Sequence, residues 1–237
     1  MAEGAIFVNS GPLFNADRLE SLEDLAEWKS LEENARVAFE RLREVYEKCA
    51  TLLAGNPSAL ETRFHIVNPT LHAARLTFSV EEAISVGDDQ ALAVDYACFA
   101  NAQEFYDAEA TRGTVAFFRS ALCIVQCAAW GADLDTAPEP TPATEEGGEP
   151  QQTVPPAVRL DLLLRTTGCE YGILTNGFLW RVYHRDTSGL LNTFFQADMI
   201  AAMKTDYEEF KRFYLLFNRQ AFVRDAKGQC FLDTIRQ

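Results

Sequence analysis

At 237 residues the chain can bury a sizeable core, as one large domain or two small ones. Its 48% hydrophobic and 24% charged residues are those of an ordinary globular protein rather than a disordered or membrane one, and no apolar run reaches the ~18 residues of a membrane helix. A net charge of −14 argues against strong non-specific binding to nucleic acid, because phosphate contacts draw on Lys and Arg to release counterions, although a local basic groove stays open.

The acidity is concentrated in residues 17–47 and 133–149, so any nucleic-acid surface is expected elsewhere. The first ten residues lack the basic and apolar regions of a signal peptide, and a cytoplasmic protein is expected. Cys49, Cys98, Cys123, Cys127, Cys169 and Cys230 are scattered without a CxxC pair and far from His65, His72 and His184. They read as reduced, mostly buried thiols.

Between residues 19 and 53, apolar side chains recur at Leu31, Ala35, Ala38, Leu42, Val45, Cys49 and Leu52. That spacing predicts one long or two consecutive helices with a single buried stripe. Gly55, Asn56 and Pro57 end the pattern. Ser58 then reads as the N-cap of a further helix, with Glu61 completing a capping box and Leu60, Phe64 and Val67 turned inward. Residues 1–57 are therefore expected to form an N-terminal helical extension, and 58–237 the main domain.

The run ALAVDYACF at 91–99 predicts a strand buried on both faces, interrupted by Asp95. ALCIVQCA at 121–128 predicts a second, interrupted by Gln126. Residues 171–183 predict a hairpin whose Asn176 and Gly177 supply positive φ angles at a tight turn. Residues 137–156, rich in Pro, Glu, Thr and Gly, read as a flexible acidic loop. Tyr207, Phe210, Phe213, Tyr214 and Phe217 recur at helical spacing within 198–223, as a packing stripe.

Several blocks together carry a resemblance. They are Phe7, Val8 and Asn9 followed by Leu13 and Phe14; the run Glu61, Thr62, Arg63, Phe64 leading to Asn68 and Pro69; Asp95 and Tyr96; and Trp130 and Gly131 with Leu134 and Asp135. The strongest is YGILTNG at 171–177 with WRVY at 180–183 and HRDTS at 184–188, and the last includes FYLLF at 213–217. With these, the chain resembles the N-terminal PD-(D/E)xK nuclease domain of large restriction enzymes that carry a methyltransferase on the same polypeptide. The resemblance implies an α/β, restriction-endonuclease-like fold, with a central mixed sheet flanked by helices. It also implies an acid on one strand and, on the next, an acid and a lysine two residues apart, the acids holding Mg²⁺ and the lysine positioning water.

The departures fall on that chemistry. Gln126 stands where the family has Glu, and Ala128 where it has Lys. Arg159 and Leu163 replace a Gln and a Tyr on the helix that follows. Of the usual acids Glu61 and Asp95 remain as weak metal ligands, although Glu61 reads equally as a capping residue. Asp95, costly to bury alone, is expected to pair with an Arg or a backbone donor. Arg181 is expected either as that partner or as a surface charge, Asn176 as a turn residue, and Trp180 as core. Asp133 or Asp135 could replace the lost acid. The expectation is a catalytically degenerate protein of a restriction-modification or phage-defence system that contacts DNA weakly or binds a partner, such as a methyltransferase or restriction subunit, and holds no cofactor. Two alternatives stay open: a Mg²⁺-dependent DNA endonuclease with relocated residues, and an acidic structural or decoy protein.

Overall fold

A computed structural model describes residues 5–86, 90–138 and 154–237. Among the described residues seven strands form one mixed sheet in the order β1-β7-β6-β5-β4-β3-β2. These are β1 (Phe7–Ser10), β2 (Thr77–Val86), β3 (Gln90–Phe99), β4 (Cys123–Cys127), β5 (Tyr171–Thr175), β6 (Leu179–His184) and β7 (Phe194–Asp198). Only β4 and β5 run parallel, with Gln126 beside Leu174; the other neighbours are antiparallel. A parallel pair needs a crossover, and the helix Pro156–Thr167 lies within it. That helix packs closely over β5, where a Cβ on Gly172 would come within 3.0 Å of Leu160 Cδ1.

Alternation along the strands divides the core in two. On one face Tyr96, Cys98, Val125, Ile173, Trp180, Val182 and Phe195 pack against the long helix Glu32–Ala54 and the helix Tyr207–Phe217. On the other, Ala97, Phe99, Ile124, Leu174 and Tyr183 pack against Phe117, Phe118, Leu160 and Leu164. The aromatic stripe of residues 207–217 is therefore packing, as expected, and Trp180 is core at 1% exposed. All six cysteines are free and all but Cys49 are buried.

Four expectations are corrected. Residues 1–57 are not an extension: β1 is an edge strand on β7, and Leu13, Phe14, Leu22, Trp28 and Leu42 share the first core with the sheet. The helix after Ser58 does form its capping box, with Glu61 Oε2 accepting from Ser58 N at 2.8 Å, but Leu60 and Phe64 are 62% and 67% exposed. Thr62 and Ile66 face inward instead, Val67 is buried as expected, and a π-helical turn at Arg63–Val67 adds the residue that brings Val67 round to their face. At the hairpin only Gly177 has a positive φ, +98°, while Asn176 acts through its side chain, whose Oδ1 accepts from Leu179 N at 2.9 Å. Arg181 is neither a partner of Asp95 nor a surface charge, as set out below. Of the acidic stretch read at 137–156, residues 139–153 lie outside the described residues.

Candidate functional site

The site predicted from sequence lies where β3, β4 and β5 meet at one end of the sheet. The β3–β4 register ends at Tyr96 beside Val125, so the next step sets Asp95 across from Gln126. There the ladder gives way to a side chain: Asp95 Oδ2 accepts from the backbone N–H of Cys127 at 2.7 Å. On its other side β3 faces β2, whose pairing also skips one position, Glu81, with φ +55°. The two strands reverse faces at this point. Tyr96 packs in the first core and Val94, two residues away, in the second.

A single cation sits on the kink. Arg63 Nη1 donates to Asp95 Oδ1 at 3.0 Å, and Nη2 donates to Glu81 Oε1 at 3.0 Å. Asp95 thus finds both kinds of partner expected of it, a backbone N–H on one oxygen and a guanidinium on the other. Burial still pushes its carboxyl above the ordinary range, and the Cys127 N–H and the Arg63 charge hold it back only in part. Burial likewise pushes the Cys127 thiol far up, with the Asp95 charge adding to it, so this cysteine is no nucleophile.

Gln126 is 6% exposed, and its Oε1 has no hydrogen-bond partner among the described residues. A glutamate there would be a buried charge with no hydrogen-bond donor on its oxygen among the described residues. The neutral amide reduces the penalty to that of an unpaired acceptor, about 1–3 kcal/mol. Beside Gln126 a cleft of about 460 Å³ is walled by Ala128, Ala132, Asp133, Thr136 and Arg159. Arg159 Nη2 donates to Ala93 O at 3.2 Å, and its charge also lowers the Asp95 carboxyl.

The remaining site residues are held elsewhere. Along one row of the sheet Gln126 neighbours Leu174, Leu174 neighbours Arg181, and Arg181 neighbours Gln196. Arg181 is thus three strand spacings of ~4.8 Å from Asp95, too far to pair with it. At 2% exposed it is buried, forking onto Asp135 at 2.6 and 3.0 Å, donating to Gln196 Oε1 at 2.7 Å and lying 4.1 Å over the Phe194 ring. Asp135 is therefore committed to Arg181. Asp133 accepts from Asp135 N at 2.8 Å and caps a turn. Asn176 Nδ2 donates to Ala132 O at 2.8 Å, tying the hairpin to the loop after β4.

These residues do not fit a Mg²⁺ site of the PD-(D/E)xK kind. Both Asp95 oxygens are engaged by donors of the chain itself, Glu61 is exposed and used by its capping box, and the β4 position is a neutral amide. Among the described residues no group of three or more His, Cys, Asp or Glu is arranged to hold a metal ion. Comparison with protein-family models, curated proteins and solved structures finds no match. The functional reading therefore rests on the site itself.

Arg63 and Glu81 were not assigned a role from sequence. A buried acid calls for a cation, and Arg63 stands two residues after Glu61 in a block already singled out. Glu81 lies on β2, whose paired acids Glu81 and Glu82 break the alternation that marks a strand.

Proposed function

We propose that this chain is a catalytically degenerate nuclease-like protein of a restriction-modification or phage-defence system, cytoplasmic, acting by binding a partner protein rather than by cutting DNA. The observation that carries the reading is the Arg63 guanidinium on Asp95, where a nuclease of this kind would bring a metal ion. An internal cation partly offsets the burial of the carboxylate and needs no second acid, which fits Gln126 and Ala128 on the next strand. The mouth of the site favours a protein over DNA. Leu60, Phe64 and Val80 are exposed on the two segments that carry Arg63 and Glu81, next in sequence to the exposed Glu61 and Glu81, a combination that suits an apolar and basic protein surface better than phosphate. A methyltransferase or restriction subunit is the partner class the resemblance implies. No helix among the described residues is long and apolar enough to cross a membrane.

The test is nuclease activity on supercoiled and linear DNA with Mg²⁺ or Mn²⁺. The natural chain is expected to be inactive. The triple change Gln126→Glu, Ala128→Lys and Arg63→Ala returns the acid and lysine and removes the internal cation, and cleavage by this variant alone would support a nuclease scaffold without its chemistry. Cleavage by the natural chain that disappears in a folded Asp95→Asn variant would overturn the proposal in favour of an enzyme.

A further inference from the structure

The parallel strands β4 and β5 have a second cleft at their opposite, N-terminal end. It measures about 410 Å³ and is lined by Arg119, Arg185, Arg224, Gly168, Cys169 and Glu170, among others. Three guanidinium groups around one cleft stand out in a chain of net charge −14.

The local geometry arranges them. Gly168 ends the helix Pro156–Thr167 with φ +72°, and its missing side chain leaves room for Arg119, whose Nε would lie 3.2 Å from a Cβ there. Arg185 Nη1 donates to the carbonyl of the same glycine. Arg224 is held from the other side by Glu170 and by Asp233, the latter at 3.5 Å. The three groups differ in what they have left to give. Arg224 is committed to carboxylates, and Arg185 uses one nitrogen on Gly168 and faces Asp186 at 3.9 Å. Among the described residues Arg119 makes no side-chain hydrogen bond or ion pair, so none of them occupies its N–H donors.

We propose that this cleft binds a phosphate group, with Arg119 as the principal donor and Arg185 as the second. A guanidinium fork matches two phosphate oxygens, and Arg119 brings a charge that none of the carboxylates around the cleft pairs, since Glu170 and Asp233 hold Arg224 and Asp186 faces Arg185. The cleft is large enough to admit the group that carries the phosphate. Cys169 takes no part in chemistry there, because burial holds its thiol up at about 12. The proposal is independent of the Asp95 site, which lies at the other end of the same strands.

The phosphate could belong to a small molecule or to a nucleic-acid terminus, and the experiment separates these. The full chain is titrated with inorganic phosphate, with a 5′-phosphorylated oligonucleotide and with the same oligonucleotide bearing a 5′-hydroxyl, following arginine Nε–H resonances by NMR. Phosphate is expected to shift the Arg119 and Arg185 signals, and Arg119→Ala to weaken its binding roughly tenfold or more. Arg119 is exposed, so the variant should fold, and Arg43→Ala on the helix Glu32–Ala54 should leave binding unchanged. Tighter binding of the 5′-phosphorylated oligonucleotide than of inorganic phosphate, lost with the 5′-hydroxyl form, assigns a nucleic-acid terminus; the reverse order assigns a small molecule. Absence of phosphate shifts at Arg119 in the unmodified chain, or equal affinity in Arg119→Ala, overturns the proposal.

Discussion

Removing Arg63 is the most direct probe of the closed site. In Arg63→Ala, Asp95 keeps the Cys127 N–H but loses the one ion pair its carboxylate makes among the described residues, and the exposed Glu81 is released beside it. Truncating one partner of a fully buried pair costs about 3–5 kcal/mol. Here the two side chains retain 17% and 16% exposure, and the stranded carboxyl can take up a proton, so the loss is smaller. We expect about 2 kcal/mol at neutral pH, read as a lower urea midpoint with an unchanged slope. The effect depends on pH in a defined sense. Asp95 titrates above its ordinary value of 3.8, so the folded state holds this proton more tightly than the unfolded chain. Its contribution to stability is complete below 3.8 and is lost as pH rises through the folded value. Without Arg63 that folded value moves up further, and the deficit of the variant should shrink as pH is lowered toward 4. A double-mutant cycle with Asp95→Asn, which keeps an acceptor for Cys127, should give a coupling of roughly 1–2 kcal/mol. A coupling indistinguishable from zero, or a deficit that grows on acidification, would refute the account of Arg63 as the internal counterion.

The other predictions address metal, turn and pH. Calorimetry with Mg²⁺ or Mn²⁺ should show weak binding or none, and micromolar binding abolished by Asp95→Ala would contradict the mismatch derived for the site. Gly177→Ala places a Cβ 2.4 Å from the Trp130 ring at a φ of +98°, and should lower stability by more than about 2 kcal/mol in thermal melts. His184 is buried, which lowers its pKa below the ordinary 6.5, with the nearby Arg236 charge adding to the shift. A depressed value means that stability is full above 6.5 and is lost as pH falls through the folded value, so the urea midpoint should drop on mild acidification. In His184→Asn, which preserves an acceptor for Asp186 N, that part of the slope should vanish.

The sequence by itself determined the features that depend on near neighbours. The helical stripe through Leu31, Ala35, Ala38 and Leu42, the Ser58–Glu61 capping box, the central strands β3 and β4, the β5–β6 hairpin and the aromatic stripe of residues 207–217 all follow from periodicity or local hydrogen bonding. The need of Asp95 for a cation or a backbone donor was legible too, because an isolated acid in an apolar strand has few other resolutions. Only the tertiary structure decided which groups would supply them. Arg63 and the Cys127 N–H are each 32 residues away, and Arg181, the arginine nearer to hand in the strand pattern, was drawn to Asp135 across a different part of the sheet. The short edge strand β1, the strand β7 and the kinked β2 also escaped, since their alternation is too brief or is broken where Glu81 adopts a left-handed conformation. The same holds for Leu60 and Phe64: an i, i+4 pair reads as buried on an ideal helix, but the face turned to the core is the one that carries Thr62 and Ile66, which leaves both apolar side chains in solvent. Pairings between distant segments depend on which surfaces the whole chain brings together, and that is not encoded in any one window of residues.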